Sequence, residues 1–212
     1  MALLNVIMIW FYIIQPETHL SLLNYMENLS TPPPSIGFYS KGDNIEAGTT
    51  IKISSGGLNG SLIANGAISL RGRLNIKDNL FADLSTLLTD NVSSYSLAAG
   101  KYFNTGHIKL RGQLRYSFIS YYELNDKYWF NAINAEIITP FMWGKYFSPF
   151  VGLNSSYNYY RLPENIRSSP IKGISFKAIT GLNFKYKYFT SCIFLSINRE
   201  SFSSGIYFGF IK

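Results

Sequence analysis

Apolar and polar residues alternate along most of the chain from residue 46 onward. Between Gly106 and Leu124 the even positions read Ile108, Leu110, Gly112, Leu114, Tyr116, Phe118, Ser120, Tyr122 and Leu124. The odd positions read His107, Lys109, Arg111, Gln113, Arg115, Ser117, Ile119, Tyr121 and Glu123. One parity is mainly apolar and the other mainly basic or polar. A strand points successive side chains to opposite faces, so this stretch predicts a two-sided strand. Its length separates it from a strand of a soluble sheet. Ordinary strands run about 5–6 residues, whereas a membrane-crossing strand needs about 9–11.

The same period recurs along the chain. Over 67–77, Ile68, Leu70, Leu74 and Ile76 oppose Ser69, Arg71, Arg73, Asn75 and Lys77. Over 79–89, Leu80, Ala82, Leu84 and Leu88 oppose Asp83 and Ser85. Over 147–160, Phe147, Val151, Leu153, Tyr157 and Tyr159 oppose Ser148, Gly152, Asn154, Ser156 and Asn158. Over 172–185, Ile174, Phe176, Ala178, Leu182 and Phe184 oppose Ser175, Lys177, Gly181, Asn183 and Lys185. Segments 94–103, 128–140, 189–198 and 205–210 keep the period. A first strand at about 46–55, with Thr50, Lys52 and Ser54 inward, brings the count to ten. Eight and twelve strands are the alternatives.

Short turns are predicted at Lys77–Asn79, Asn104–Gly106, Trp143–Lys145 and Lys185–Lys187. Longer connections are predicted at 55–66, 89–93, 124–127, 162–170 and 199–204. Short turns at one rim and longer loops at the other describe an all-β, antiparallel, up-and-down transmembrane barrel over residues 46–212. The heptads Ile68–Leu74 and Ile108–Leu114 share the pattern Ile-x-Leu-Arg-Gly-x-Leu. They fall on strands of opposite direction, so they read as two similar amphipathic strands.

Composition sharpens this reading. Only 15% of residues are charged, against roughly 25% in soluble domains. Aromatics reach 17%. No apolar run attains the roughly 18 residues of a helical span. The apolar stretch Ala2–Ile14 has the length of a signal-peptide core, although no Lys or Arg precedes it. Residues 1–20 are therefore expected to be a signal peptide and 21–45 an N-terminal segment, with Pro32–Pro34 breaking any helix. Several aromatics lie at strand ends, where a membrane interface favours them. They include Trp143, Tyr146 and Tyr188 beside short turns, and Trp129 and Tyr159 near the opposite rim.

Three segments carry a resemblance to a known family. Phe147-Ser148-Pro149-Phe150-Val151-Gly152 resembles a strand of the small OmpA-like outer-membrane barrels. Gly181-Leu182-Asn183-Phe184-Lys185-Tyr186 is similar to their strand entering a periplasmic turn, and Gly205–Phe210 to their terminal strand. In that family the chain usually ends on an aromatic; here Ile211 and Lys212 follow. The resemblance implies an outer membrane as the setting and its lipid as the first partner.

The inward parity is basic. Arg71, Arg73, Lys77, His107, Lys109, Arg111, Arg115, Lys177 and Lys185 are expected to line the lumen, with Asp83 and Glu136 as the inward acids. Two readings follow. In one, an excess of positive charge lines a narrow wet path that favours anions or small solutes. In the other, the bases pair and close the barrel, which then acts on extracellular ligands through its loops. Catalysis is not expected: His107 beside a short turn is the only histidine in the barrel. One cysteine and two distant histidines give no metal site. No phosphate loop or cofactor motif is present, and basic residues alternating with apolar ones form no nucleic-acid stripe. Oligomeric state is not legible.

Overall fold

The computed structural model describes residues 45–58, 61–76, 79–88, 92–104, 109–123, 126–141, 145–161, 170–198 and 201–212. They form ten strands: β1 (Ile45–Leu58), β2 (Ser61–Asn75), β3 (Leu80–Leu88), β4 (Val92–Asn104), β5 (Lys109–Glu123), β6 (Asp126–Pro140), β7 (Phe147–Arg161), β8 (Ile171–Tyr186), β9 (Phe189–Ile197) and β10 (Ser201–Ile211). Each strand pairs antiparallel with its neighbours in sequence, and β1 pairs with β10 to close the barrel. The seam is finished by Ile45 N–H donating to Lys212 O at 2.9 Å and Lys212 N–H donating to Ile45 O at 2.8 Å. Closure leaves no strand edge, which is what a hydrocarbon environment demands of a β-structure.

The register fixes the stagger. From Phe189, the paired residues run through Phe210, Ala47, Gly72, Leu84, Leu97, Tyr116, Ile133 and Tyr157 to Ile174. Ile174 lies four residues before Ala178, the partner of Ile197, and Ile197 lies eight from Phe189, so the β8–β9 register extended to Ile174 is offset by twelve residues from the start of the path. Such a stagger tilts the strands by roughly 40° from the barrel axis.

Alternation divides the two faces. On β7, Ser148, Phe150, Asn154, Ser156, Asn158 and Tyr160 are buried, while Phe147, Val151, Leu153 and Tyr157 are exposed. Leu153 is 70% exposed and Leu114 63%. The outer surface is thus a belt of leucine, isoleucine and aromatic side chains, inverted relative to a water-soluble domain. Lipid covers such a belt and water would not. Three outward threonines do not leave a bare hydroxyl in that belt. Thr49, Thr86 and Thr180 donate to the carbonyls of Ser69, Ser94 and Phe150 at 3.0–3.1 Å.

Several expected connections are strand instead. Residues 55–58 and 61–66 belong to β1 and β2, so Gly56 and Gly57 sit in a ladder and not in a loop. The polar residues there hid the period, but their backbone still pairs. β4, β6 and β10 likewise begin inside the expected connections 89–93, 124–127 and 199–204. β7 ends at Arg161 and β8 begins at Ile171, on either side of the expected connection 162–170, of which 162–169 lie outside the described residues. At the opposite rim the β8–β9 turn falls on Lys187–Tyr188, one to two residues later than expected, with Lys187 at φ 51°. Residues 1–44, which carry the expected signal peptide, lie outside the described residues.

Candidate functional site

The barrel interior holds most of the candidate residues. Towards the short-turn end of β2 and β3, Arg71, Arg73 and Asp83 are at most 4% exposed. Arg71 Nε donates to Asp83 Oδ2 at 2.6 Å, and its Nη2 bonds the same oxygen. Arg73 adds Nε and Nη2 contacts to that oxygen at 3.1 and 2.9 Å. Its Nη1 reaches Tyr102 Oη at 2.9 Å, and its guanidinium stacks 4.5 Å from the Phe81 ring centre. Arg115 lies 3.9 Å from Asp83 Oδ1, and its three guanidinium nitrogens make no hydrogen bond. Arg111 pairs with Glu136, whose Oε1 also accepts from Gln113 Nε2 at 2.9 Å. The register explains these encounters: Arg73 is directly opposite Asp83, and Gln113 directly opposite Glu136.

Among the described residues, six buried bases (Lys52, Arg71, Arg73, Arg111, Arg115 and Lys177) share the interior with three buried acids, Glu46, Asp83 and Glu136. Burying a charge is costly unless it is paired, so one carboxylate serving several guanidiniums becomes the anchor of the group. Lys109 and Lys185 are only half-buried, near the ends of β5 and β8. Lys77, His107 and Trp143 lie outside the described residues. Of the interface aromatics, Trp129, Tyr146 and Tyr188 are exposed, and Tyr159 is half-buried.

The interior also contains a feature that parity counting missed. Ile138, Phe150, Ile179, Cys192, Phe194 and Tyr207 form a buried apolar cluster on the β6–β10 side. Inward glycines one strand away make room for it. A Cβ on Gly181 would stand 2.6 Å from Phe150 Cζ, and one on Gly205 would stand 2.8 Å from Phe194 Cε1. Gly48 on β1 similarly accommodates Tyr207, which Gly209 also clears two residues along on β10, while Gly152 accommodates Ile138 and Gly100 accommodates Phe81. An inward aromatic paired with an inward glycine on an adjacent strand is the signal that was available and unused. Further towards the other end, Leu87, Ile119, Phe130 and Tyr160 are at most 2% exposed. Small polar groups tie that layer together. Ser85 and Ser96 hydroxyls meet at 2.5 Å, Ser156 Oγ donates to Asn158 Oδ1 at 2.7 Å, and Asn158 Nδ2 donates to Ser175 Oγ at 3.2 Å.

No family model matches the sequence, and no curated protein matches it. Solved structures do. An outer-membrane channel from Pseudomonas putida F1 superposes with a TM-score of 0.51 at 8% identity, over 86% of this chain and 100% of that one. The fold is that of the bacterial outer-membrane β-barrels. The translocator domain of the autotransporter NalP from Neisseria meningitidis covers 91% of this chain and 96% of its own, with a TM-score of 0.44 and 11% identity. Neisserial surface protein A covers 80% and 95%, with a TM-score of 0.43 and 15% identity. The closed ring of ten paired strands bears out the expected antiparallel architecture, with eight and twelve set aside.

Proposed function

We propose that the protein is an integral outer-membrane barrel with a sealed lumen, acting without catalysis through the surface it presents outside the membrane. The observation that carries this reading is the near-complete burial of inward side chains at two levels. The charged and apolar groups from Arg71 to Tyr207 make one level, and Leu87, Ile119, Phe130 and Tyr160 make the other. A hydrated ion needs a path that leaves lumen side chains accessible. A barrel of about eight strands is filled by its own side chains, whereas porins of about sixteen strands leave an aqueous channel; ten strands fall near the filled end. With 55–58 and 61–66 in the ladder, the expected connection 162–170, mostly outside the described residues, is the segment assigned to an extracellular ligand.

The excess of inward bases favours a second reading, a narrow anion-preferring pore. Single-channel conductance of the refolded protein in a planar bilayer, under a salt gradient, separates the two. The sealed barrel inserts and stays silent. Discrete anion-selective steps that shrink in Arg111→Gln or Arg115→Gln would overturn it. Removing residues 163–169 should leave that silence unchanged and abolish any ligand binding measured on whole cells.

A further inference from the structure

The short-turn rim carries exposed lysines that neither the lumen nor the loop reading uses. Lys101, Lys145, Lys187 and Lys212 are exposed there, and Lys109 and Lys185 are half-buried beside them. They span β4 to β10, more than half the circumference. The acids whose side chains are placed, Glu46, Asp83 and Glu136, are all buried inside the barrel; Asp78, in the β2–β3 turn, lies outside the described residues.

Three of these lysines are tied to aromatic rings. Lys101 Nζ is 6.0 Å from the Phe103 ring centre, Lys145 Nζ 5.5 Å from Tyr146, and Lys187 Nζ 5.5 Å from Tyr186. Phe103 stands on β4, while Tyr146 and Tyr186 belong to a nearly continuous aromatic band that runs from the β6–β7 turn across β7–β10. Tyr146 packs on Tyr186 at 5.5 Å, Phe147 on Phe184 at 5.2 Å, and Phe189 on Phe210 at 6.1 Å. Exposed aromatics of a membrane protein settle at headgroup depth. An ammonium within about 6 Å of such a ring is held at that same depth, where lipid phosphates lie. A basic group near an anionic membrane surface gains roughly a fivefold preference.

We propose that this rim is a docking surface for the headgroups of anionic glycerophospholipids in the leaflet facing the short turns. Charge complementarity selects the phosphodiester over a zwitterionic headgroup, whose own ammonium would meet the lysines. The exposed rings between the lysines select a lipid over a soluble anion, because Tyr188 and Phe210, 74% and 70% exposed, need an acyl or glycerol neighbour.

The test is electron spin resonance of the full-chain protein refolded in phosphatidylcholine bilayers, with spin-labelled phosphatidylglycerol or phosphatidylcholine as probe. The motionally restricted fraction gives the relative association of each lipid with the barrel. The wild type should enrich phosphatidylglycerol severalfold, and high salt should reduce that ratio. The triple variant Lys101→Gln, Lys145→Gln, Lys187→Asn should bring it close to one; Asn tolerates the positive φ of residue 187. The double variant Lys101→Gln, Lys145→Gln leaves that turn untouched and should give an intermediate ratio. A wild-type ratio of one overturns the proposal. So does enrichment that survives in the triple variant but is lost in Arg161→Gln, Lys172→Gln, which would move the anion surface to the opposite rim.

Discussion

Asp83 serves three guanidinium groups with one carboxylate, and that ratio makes the cluster's two sides unequal. Removing the acid takes from Arg71 and Arg73 the carboxylate oxygen they share. Breaking a buried pair from one side costs about 3–5 kcal/mol. Asp83→Ala should lower unfolding stability by that amount in urea titrations of the lipid-embedded protein. Arg115 is different. It sits 3.9 Å from Asp83 and its nitrogens make no hydrogen bond. Arg115→Met exchanges a poorly paired buried charge for packing, and should leave stability unchanged or raise it. A loss comparable to that of Asp83→Ala would contradict this account of the cluster. The glycines offer a second contrast. A Cβ on Gly181 would press on Phe150, whereas a Cβ on Gly72 meets nothing within 4 Å. Gly181→Ala should therefore destabilise by about 1–3 kcal/mol, and Gly72→Ala should be neutral or slightly stabilising. The same titrations measure both.

At the scale of the strand, alternation is the organising rule, and it assigns each position a solvent. Leu153 stands on the outer face of β7 with Asn154 beside it on the inner face. Leu153→Arg places a charge on the lipid side, where the cost near the midplane is about 2–4 kcal/mol. Folding into bilayers should show that loss, while folding in a detergent micelle, whose headgroups lie closer, should show less. Equal stability in both media would argue against a lipid-facing belt. Strand ends were less legible than strand middles. The run Ser54-Ser55-Gly56-Gly57 has no apolar parity, yet its backbone pairs with β2 throughout and with β10 as far as Gly56. Ladder hydrogen bonds need no side chain, so a polar strand end and a polar loop look alike in sequence. The β8–β9 turn moved for a related reason: Lys185 and Tyr186 keep the alternation to the last pair, Tyr186 with Phe189.

For the whole molecule, the consequence of closure is that ten two-sided strands enclose a single interior. What fills it decides between a channel and a sealed body. Each inward base, taken alone, reads as a lining group of a wet path. Brought together, Arg71, Arg73 and Asp83 become one ion cluster and Phe150, Phe194 and Tyr207 one apolar cluster. The closed lumen of the functional proposal rests on that convergence, and the silent bilayer is its expected signature. The lysine rim also exists only at this scale, because its members come from strand ends and turns far apart in the chain.

Residue alternation alone determined the two-sided strands, their approximate number and the identity of the lipid-facing surface. These follow from the period of two, which is a local property of the extended backbone. Parity also placed Arg71, Asp83, Arg111, Arg115, Glu136 and Lys177 on the inward side of their strands. The tertiary structure decided the partners. Which acid meets which base, which glycine receives which ring, and whether the interior is open all depend on register and stagger around the barrel. Those quantities relate residues on different strands, and no local period along the chain encodes them.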